Sequence, residues 1–209
     1  LWNTQEGWIV LSGGSESTAD AFRKTFRRSF GVLIEDQPIV EAGEGDLLFA
    51  DPASDWLTWI LWRSGEGRGA LKLADAEEAT FWIEGSVRLE GLRASDVSPA
   101  VLAHLAIEKP PEALVLALKA GDREYLVKLG GVDCAGLRLP VQVRGGDLSE
   151  QVYEAAFLYE DAWRLITRLH EAFAQERARS GEQQRAAVRR WIGAGLDPVA
   201  AFLERLRAS

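Results

Sequence analysis

The chain has 209 residues, 47% of them hydrophobic and 27% charged, which is typical of a globular protein with one core or two small ones. Its apolar runs are too short to span a bilayer, no signal peptide is visible, and the single cysteine excludes an intrachain disulfide framework, so we expect a reducing cytoplasm. The net charge of −8 counts against nucleic-acid binding, which depends on neutralising phosphates, although the distribution of the 24 Lys and Arg residues matters more than their sum.

The first 34 residues predict a strand, a helix and a second strand. The chain contains no methionine and begins at Leu1, so we expect further residues upstream in the natural protein. Residues 8–11 form an apolar run suited to a short strand. The helix that follows has an apolar face with a residue every four positions, at Phe22, Phe26 and Phe30. Gly31 is suited to end this helix, and residues 32–34 predict the second strand.

Three of the eight tryptophans lie within seven residues, at Trp56, Trp59 and Trp62. Their spacing, after the possible cap Ser54 or Asp55, predicts a helix. Trp56 and Trp59 share the apolar stripe of this helix, so we interpret them as core residues and not as platforms for stacked bases. Trp62 lies off the stripe and is therefore the candidate for an interface with a partner.

The remainder of the chain predicts antiparallel strands followed by helices. Strands are expected at 81–83 and 87–89 around Gly85, at 114–118 and 124–129 as a hairpin, and at 137–139. Helices are expected at 99–107, 149–178, 182–192 and 197–207. This order predicts an α+β fold with antiparallel sheets, packed helices and a helical C-terminal extension. We divide it into an α+β region, 1–148, and a helical region, 149–209, packed together as a single structural unit.

Residues suited to catalysis are scarce. The two histidines, His104 and His170, belong to no HExxH or Cys/His ligand spacing, and we interpret both as structural or exposed. Cys134 has no histidine near it in sequence, and the acidic residues show no pattern of a metal-dependent nuclease. The glycine-rich loop at 12–15 lacks the lysine of a phosphate-binding loop, which favours an ordinary turn. We therefore expect no enzymatic activity, no metal and no cofactor.

The densest basic cluster is the set that a helix would bring together on one side, Arg23, Lys24, Arg27 and Arg28. One interpretation is a surface that contacts phosphates. The other is a solvated face, because the helix macrodipole favours cations near the C-terminal end. The sequence leaves these two interpretations open. Arg63 and Arg68, which follow the tryptophans, would extend such a basic surface.

Four segments follow one another in a familiar order along residues 2–178. They are Trp-Asn-Thr-Gln-Glu-Gly-Trp-Ile-Val-Leu at 2–11 with the helix after it, Leu-Thr-Trp-Ile-Leu-Trp-Arg-Ser at 57–64, the helix containing His104 with the 114–129 hairpin, and Leu-Arg-Leu-Pro at 137–140 with the long helix. In this order and spacing the chain resembles the recombination-associated RdgC proteins, in a divergent bacterial branch. The N-terminal part of that family has no counterpart in these residues.

The resemblance implies a DNA-binding protein without catalytic activity. RdgC-like proteins form a ring-shaped homodimer around duplex DNA, bind it without sequence preference and limit the activity of RecA-type recombinases, which implies a cytoplasmic, nucleoid-associated protein that needs no membrane. The resemblance also implies DNA contacts at Arg88 and Arg93, in a segment similar to the DNA-facing surface of the family. Lys109 is kept from a Gly-Lys pair of the family. Phosphate contacts of this kind position a protein on DNA but carry no sequence information.

Two alternatives belong to other functional classes. The acidic balance, Trp62 and the helical C-terminus suit a non-catalytic protein–protein interaction module within a larger assembly. A nuclease or other hydrolase is the weaker alternative, because the residues for its chemistry are missing.

Overall fold

The structure is a computed structural model that describes residues 2–5, 7–9, 11, 16–34, 52–65, 67–73, 78–89, 92–94, 97–130, 133–138 and 147–208. The chain divides into two compact units. Unit 1 comprises Leu1–Gln37 and Val143–Leu158, and unit 2 comprises Pro38–Gln142 and Tyr159–Ser209. The units are separated at three places along the chain, after Gln37, after Gln142 and, inside the C-terminal helix, after Leu158. Helices and antiparallel strands together confirm the α+β class.

Among its described residues, unit 1 contains a short hairpin, one amphipathic helix and the start of the C-terminal helix. Strands β1 (Trp2–Asn3) and β2 (Trp8–Ile9) pair antiparallel, and helix α1 covers Glu16–Phe30. The three phenylalanines of α1 stack along it, with ring centroids 5.6 Å apart for the first pair and 4.6 Å for the second. Gly31 ends the helix with φ +69°, a left-handed conformation that glycine adopts without a Cβ clash, as predicted.

The second strand predicted after α1 is wrong. Residues 32–34 have no helical or strand conformation. Val32 is 52% exposed and Leu33 is 59% exposed, so the apolar run is not buried against a sheet. A short apolar run becomes a strand only when another strand supplies hydrogen-bonding partners, and within the described residues none pairs with this segment. The predicted turn at 12–15 lies outside the described residues.

Unit 2 is built on a six-stranded antiparallel sheet. Its strands are β3 (Gly69–Lys72), β4 (Glu78–Leu89), β5 (Leu92–Ala94), β6 (Ala113–Ala120), β7 (Arg123–Gly130) and β8 (Asp133–Arg138). The order is β3-β4-β6-β7-β8, and β5 pairs with the end of β4. One face of the sheet is apolar and buried, as the alternation along each strand requires.

The two strands predicted around Gly85 are a single strand, which corrects the prediction. The pairing of β4 with β6 passes from Ile83↔Leu116 to Val87↔Leu114, so four residues on β4 span the same distance as two on β6. Such a bulge needs an unusual backbone conformation, and Gly85 supplies it with φ +90°. Glycine therefore bends this strand and does not end it.

Three local predictions for unit 2 are confirmed. Strands β6 and β7 form the expected hairpin, with Gly121 at φ +58° in the turn. Helix α3 covers Pro99–Ala106, and the hydroxyl of Ser98 accepts a hydrogen bond from the backbone N–H of Val101 as an N-cap. The strand predicted at 137–139 overlaps the end of β8 at Leu137 and Arg138, and residue 139 lies outside the described residues.

The tryptophan-rich helix, α2, covers Pro52–Gly65 and lies at the centre of unit 2. Every residue from Ala53 to Trp62 is buried. The ring centroid of Trp59 lies 6.1 Å from that of Phe81 on the sheet and 5.6 Å from that of Phe173 on the C-terminal helix. The helix is thus packed between two layers, which explains why it is apolar on all sides.

The C-terminal helix α4 runs from Leu148 to Ala208 with one kink at Ser180, where φ is −152° and ψ is 38°. The kink agrees with the predicted break between 178 and 182. The predicted break between 192 and 197 is wrong, because the helix continues through it. A Cβ at Gly195 would lie 2.1 Å from a methyl carbon of Leu102 on α3. Close packing of this stretch on α3 therefore accompanies a helix that local signals alone would end.

Candidate nucleic-acid interface

Helix α1 of unit 1 carries the basic cluster predicted from the sequence. At about 100° per residue, the four cations span an arc of about 140°, beside the narrower arc that holds the phenylalanines. Phe26 is buried, whereas the cations Lys24, Arg27 and Arg28 are exposed. The amphipathic sequence thus directs Phe26 inward and the positive charges outward, whereas Phe30 at the end of the helix is exposed.

The exposed cations of α1 have few protein partners. Arg23 is half-buried and forms an ion pair with Asp20 at 2.9 Å. Within the described residues, Lys24, Arg27 and Arg28 form no ion pair with a carboxylate. Their charges are therefore not neutralised by any carboxylate of the described residues, and the surface they form attracts anions such as phosphates.

The two basic residues after the tryptophans lie in unit 2 and rest on aromatic rings. The guanidinium carbon of Arg63 lies 5.8 Å from the ring centroid of Trp62, and that of Arg68 lies 5.0 Å from the centroid of Trp82. Arg68 is exposed, whereas Arg63 is half-buried and its Nε has no hydrogen-bond partner. Stacking on a ring leaves the edge of a guanidinium able to donate, so both residues keep donors for an anion.

The contacts implied by the resemblance also lie in unit 2, and two of them are brought together. Strand register places Arg93 on β5 directly opposite Arg88 on β4. The guanidinium of Arg88 is exposed and forms an ion pair with Glu112 at 3.2 Å. Lys109 is half-buried in the turn after α3, where its backbone N–H donates to the carbonyl of His104. The exposed side chain of Arg88 is thus able to contact a ligand at the surface, although the carboxylate of Glu112 already offsets its charge.

The solvent-facing side of the sheet is electrically mixed. Lys72 on β3 lies opposite Glu78 on β4, and Lys119 on β6 lies opposite Glu124 on β7. All four residues are exposed. The glutamates opposite Lys72 and Lys119 offset the charges of these lysines, whereas Lys128 on β7 lies opposite Val115. A face of mixed charge like this provides no strong field for a polyanion. Among the described surfaces, α1 is therefore the better candidate for binding DNA.

Burial decides the role of the clustered tryptophans. Trp56 and Trp59 are core residues, as predicted. Trp62 is only 6% exposed, because α2 is covered on all sides, and this corrects its prediction as an interface residue. Its ring offers almost no surface to a partner in this fold.

The histidines are placed among packed side chains. His170 packs edge-on against Trp56, with ring centroids 5.3 Å apart. His104 is half-buried on α3, and its Nδ1 has no hydrogen-bond partner. In the described part of the chain, no three His, Cys, Asp or Glu side chains are grouped to hold a metal ion, and no helix has the length and apolar character of a bilayer span.

A cluster of charges around one buried carboxylate was not predicted from the sequence. Asp161 on α4 is buried, accepts a hydrogen bond from the hydroxyl of Tyr125, and pairs with Arg123 at 3.0 Å and Arg164 at 2.5 Å. Arg123 and Tyr125 lie two residues apart on β7, and Asp161 and Arg164 lie one helical turn apart on α4, but the two pairs are far apart in sequence. No local pattern signals the cluster, because it depends on α4 packing against β7.

The cluster shifts the pKa values of its members in opposite directions. Burial acts to raise the pKa of Asp161, but hydrogen bonds from Tyr125 and Arg123 and the charge of Arg164 outweigh it, so the pKa lies below the usual value. Burial, together with the hydrogen bond to Asp161, raises the pKa of Tyr125 to about 12. Asp161 is thus held ionised as a structural tie between helix and sheet.

Compared with known proteins, the chain matches no family model, no curated protein and no solved structure. The resemblance to RdgC proteins therefore stays a prediction, and the functional argument depends on the placement of the residues themselves.

Proposed function

We propose that this protein binds double-stranded DNA without sequence preference, through the exposed basic face of α1. The observation that carries the proposal is that Lys24, Arg27 and Arg28 are exposed within little more than one helical turn and form no ion pair with a carboxylate of the described residues. Lysine and arginine contacts to phosphates supply affinity and orientation but no base readout. Following the resemblance to RdgC proteins, we extend the proposal to a homodimer that limits RecA-type recombinase activity on DNA.

The acidic balance of the chain shapes how this binding would behave. A net charge of −8 repels DNA at long range, so attraction depends on a local basic surface acting at short range. Binding would therefore be weak at high salt and would strengthen steeply as salt is lowered, because each neutralised phosphate releases counterions.

The proposal is tested by fluorescence anisotropy with a labelled duplex long enough to exceed any single site. We expect the full chain to bind several unrelated duplexes with equal affinity. The triple variant Lys24→Ala, Arg27→Ala, Arg28→Ala should bind all of them more weakly. It should also reduce the slope of log K against log salt by about 3, since each lost phosphate contact reduces it by about 1.

A matched control removes the same charge from another exposed helical surface. The variant Arg179→Ala, Arg189→Ala, Arg190→Ala lowers the net charge by three from exposed positions on α4 and leaves α1 intact. If both variants weaken binding equally, only net charge matters and the α1 surface is not the site. If the unmodified chain does not shift DNA at low salt, the proposal of DNA binding fails altogether.

A second candidate function, a protein–protein interaction module, is favoured by the apolar surface of unit 1. Of the ten large apolar side chains that are exposed among the described residues, eight belong to unit 1. They are Leu11, Phe30, Val32, Leu33, Leu148, Val152, Tyr153 and Phe157. A concentration of exposed apolar side chains is a common feature of protein-binding surfaces.

The two functions are separated by polar substitutions on this apolar surface. Leu148 and Tyr153 are 75% and 77% exposed, so Leu148→Ser with Tyr153→Ser should leave the fold intact. If the surface binds a second copy of the chain, the mass measured by light scattering should fall in the variant. A partner that co-purifies with the natural chain and is lost from the variant, with no DNA shift in either, would favour the interaction module.

A further inference from the structure

A small cavity at the kink of α4 has features of a binding site. It is open to solvent, and its inner part has a volume of about 20 Å³, so only the polar end of a small ligand fits inside it. Its walls come from the start of α2 and from both sides of the kink, all within unit 2. The lining residues that matter here are Asp55, Arg177, Gly181, Gln184 and Arg185.

The cavity lies where the two parts of α4 meet at the kink. Gly181 and Gln184 are three residues apart after the kink and share one face of the helix, and Arg177 lines the cavity from the other side of Ser180. The middle position is glycine, which leaves open space between two long polar side chains. A Cβ built on Gly181 would lie 3.9 Å from Cγ of Arg177, an ordinary contact, so the space is not required for packing.

Two hydrogen-bond donors at this cavity lack an acceptor. Nη2 of Arg177 and Nε2 of Gln184 are both buried, and neither has a hydrogen-bond partner among the residues that the structure describes. Gln184 as a whole is only 8% exposed. A buried donor without an acceptor is costly, so it is expected to have one in solution, supplied by water or by a ligand.

The charges of the lining residues select the kind of ligand. Arg177 and Arg185 contribute two positive charges and Asp55 contributes one negative charge, so a single negative charge on the ligand would balance the walls. The guanidinium of Arg177 also lies 5.9 Å from the ring centroid of Phe173, which supports it from one side. Trp59 directs its N–H to Glu176 at 3.0 Å, so it does not compete for a ligand.

The geometry points to a binding site for a small carboxylate, which would accept hydrogen bonds from Arg177 and Gln184. A carboxylate has one negative charge and several lone pairs, so it is able to accept from both donors at once. A doubly charged phosphate group would meet the carboxylate of Asp55, which disfavours it. The site does not depend on DNA binding, because α1 contributes nothing to it.

The test measures binding of acetate to the full chain. Saturation-transfer NMR should show the acetate methyl signal with a saturable dependence on concentration. Acetate should also raise Tm above the value in sodium chloride of the same ionic strength, because a ligand that binds the folded state stabilises it. A response to phosphate larger than the response to acetate would overturn the assignment to a carboxylate.

Three variants locate the site, and a fourth is the control. Arg177→Met and Gln184→Leu each remove one donor, and Gly181→Ala fills the space between them without changing charge. Each should abolish the acetate response, whereas Arg179→Met, at an exposed position outside the cavity, should keep it. Because alanine favours a helix over glycine, Gly181→Ala should fold at least as well as the natural chain.

Two results would overturn the site. The first is an acetate response that survives in a folded Gly181→Ala chain. The second is a natural chain whose Tm rises equally in acetate and in chloride. This result would mean that Tm responds to ionic strength and that no carboxylate is bound at the two donors.

Discussion

Units 1 and 2 differ in where their apolar side chains lie. In unit 2 the sheet, α2 and the later part of α4 bury almost all the described core, including Trp56, Phe81 and Leu165. In unit 1 the described buried apolar residues are Phe26 and Leu158. Buried area is what stabilises a fold, and exposed cations and apolar groups are what bind partners. We therefore infer that unit 2 supplies most of the stability and that unit 1 presents the proposed binding surfaces.

The largest effect is expected from removing the centre of unit 2. Trp56→Ala should cost about 3–5 kcal/mol of unfolding free energy, because it deletes a fully buried ring and leaves a cavity. Phe30→Ala in unit 1, where the ring is largely exposed, should cost less than about 1 kcal/mol. Urea denaturation of both variants measures the difference. Equal costs would contradict the inference that the units differ in stability.

A second effect tests the close packing of the sheet in unit 2. A Cβ at Gly69 would lie 1.8 Å from Cζ of Phe81, so Gly69→Ala must displace the ring and should cost about 1–3 kcal/mol. Gly31 in unit 1 has open space around it, and Gly31→Ala should cost only the backbone strain of its positive φ, about 1 kcal/mol. Thermal unfolding of the two variants should rank them in this order. A larger loss of stability for Gly31→Ala than for Gly69→Ala would contradict the conclusion that the tighter packing lies in unit 2.

A third effect depends on pH and on the charge cluster of unit 2. Because the folded pKa of Asp161 lies below 3.8, its carboxylate contributes stability that is complete above that pH and is lost as pH falls through the lower folded value. Asp161→Asn keeps an acceptor for Tyr125 but removes the charge, so it should cost about 1–2 kcal/mol at neutral pH. Urea midpoints from pH 7 down to pH 2 should show the two proteins converging.

The same cluster gives an alkaline control. The pKa of Tyr125 is raised from 10.0 to about 12, so its contribution is complete below pH 10 and is lost as pH rises through 12. Tyr125→Phe should remove this alkaline loss and reduce the acid-dependent contribution of Asp161 without abolishing it, because Arg123 and Arg164 still lower the pKa of Asp161. An unchanged alkaline profile in the variant would show that Tyr125 is not buried as described.

The smallest effect on stability belongs to the proposed DNA surface. Lys24→Ala, Arg27→Ala, Arg28→Ala should change the free energy of unfolding by less than about 0.5 kcal/mol, since all three side chains are exposed and make no ion pairs in the described chain. The same variant should lose DNA affinity. Loss of stability in parallel with affinity would mean that these residues support the fold and would weaken the separation of roles between the units.

Local signals were sufficient where an element depends on its own residues. The predicted helix start at residue 99 agrees with the cap at Ser98, and the predicted hairpin has Gly121 in its turn. In both cases the decisive hydrogen bond or dihedral angle involves residues close in sequence.

Local signals failed where a distant segment decides the outcome. Gly85 predicted a break between two strands, but pairing with β6 continues a single strand through a bulge at this position. Val32 has the character of a strand residue but lies exposed. Trp62 lies off the apolar stripe of α2, but layers on both sides bury it.

The candidate sites divide in the same way. The sequence alone placed Lys24, Arg27 and Arg28 on one helical face, because a period of 3.6 residues is enough to do so. It also determined the α+β class, through the order of its helical and strand patterns. Only the tertiary structure decided which cations form no ion pair with a carboxylate of the described residues. It also decided which hydrogen-bond donors, such as those of Arg177 and Gln184, are buried at one cavity. Burial and charge pairing depend on contacts between segments that are distant in the chain, and a local sequence pattern carries no information about such contacts.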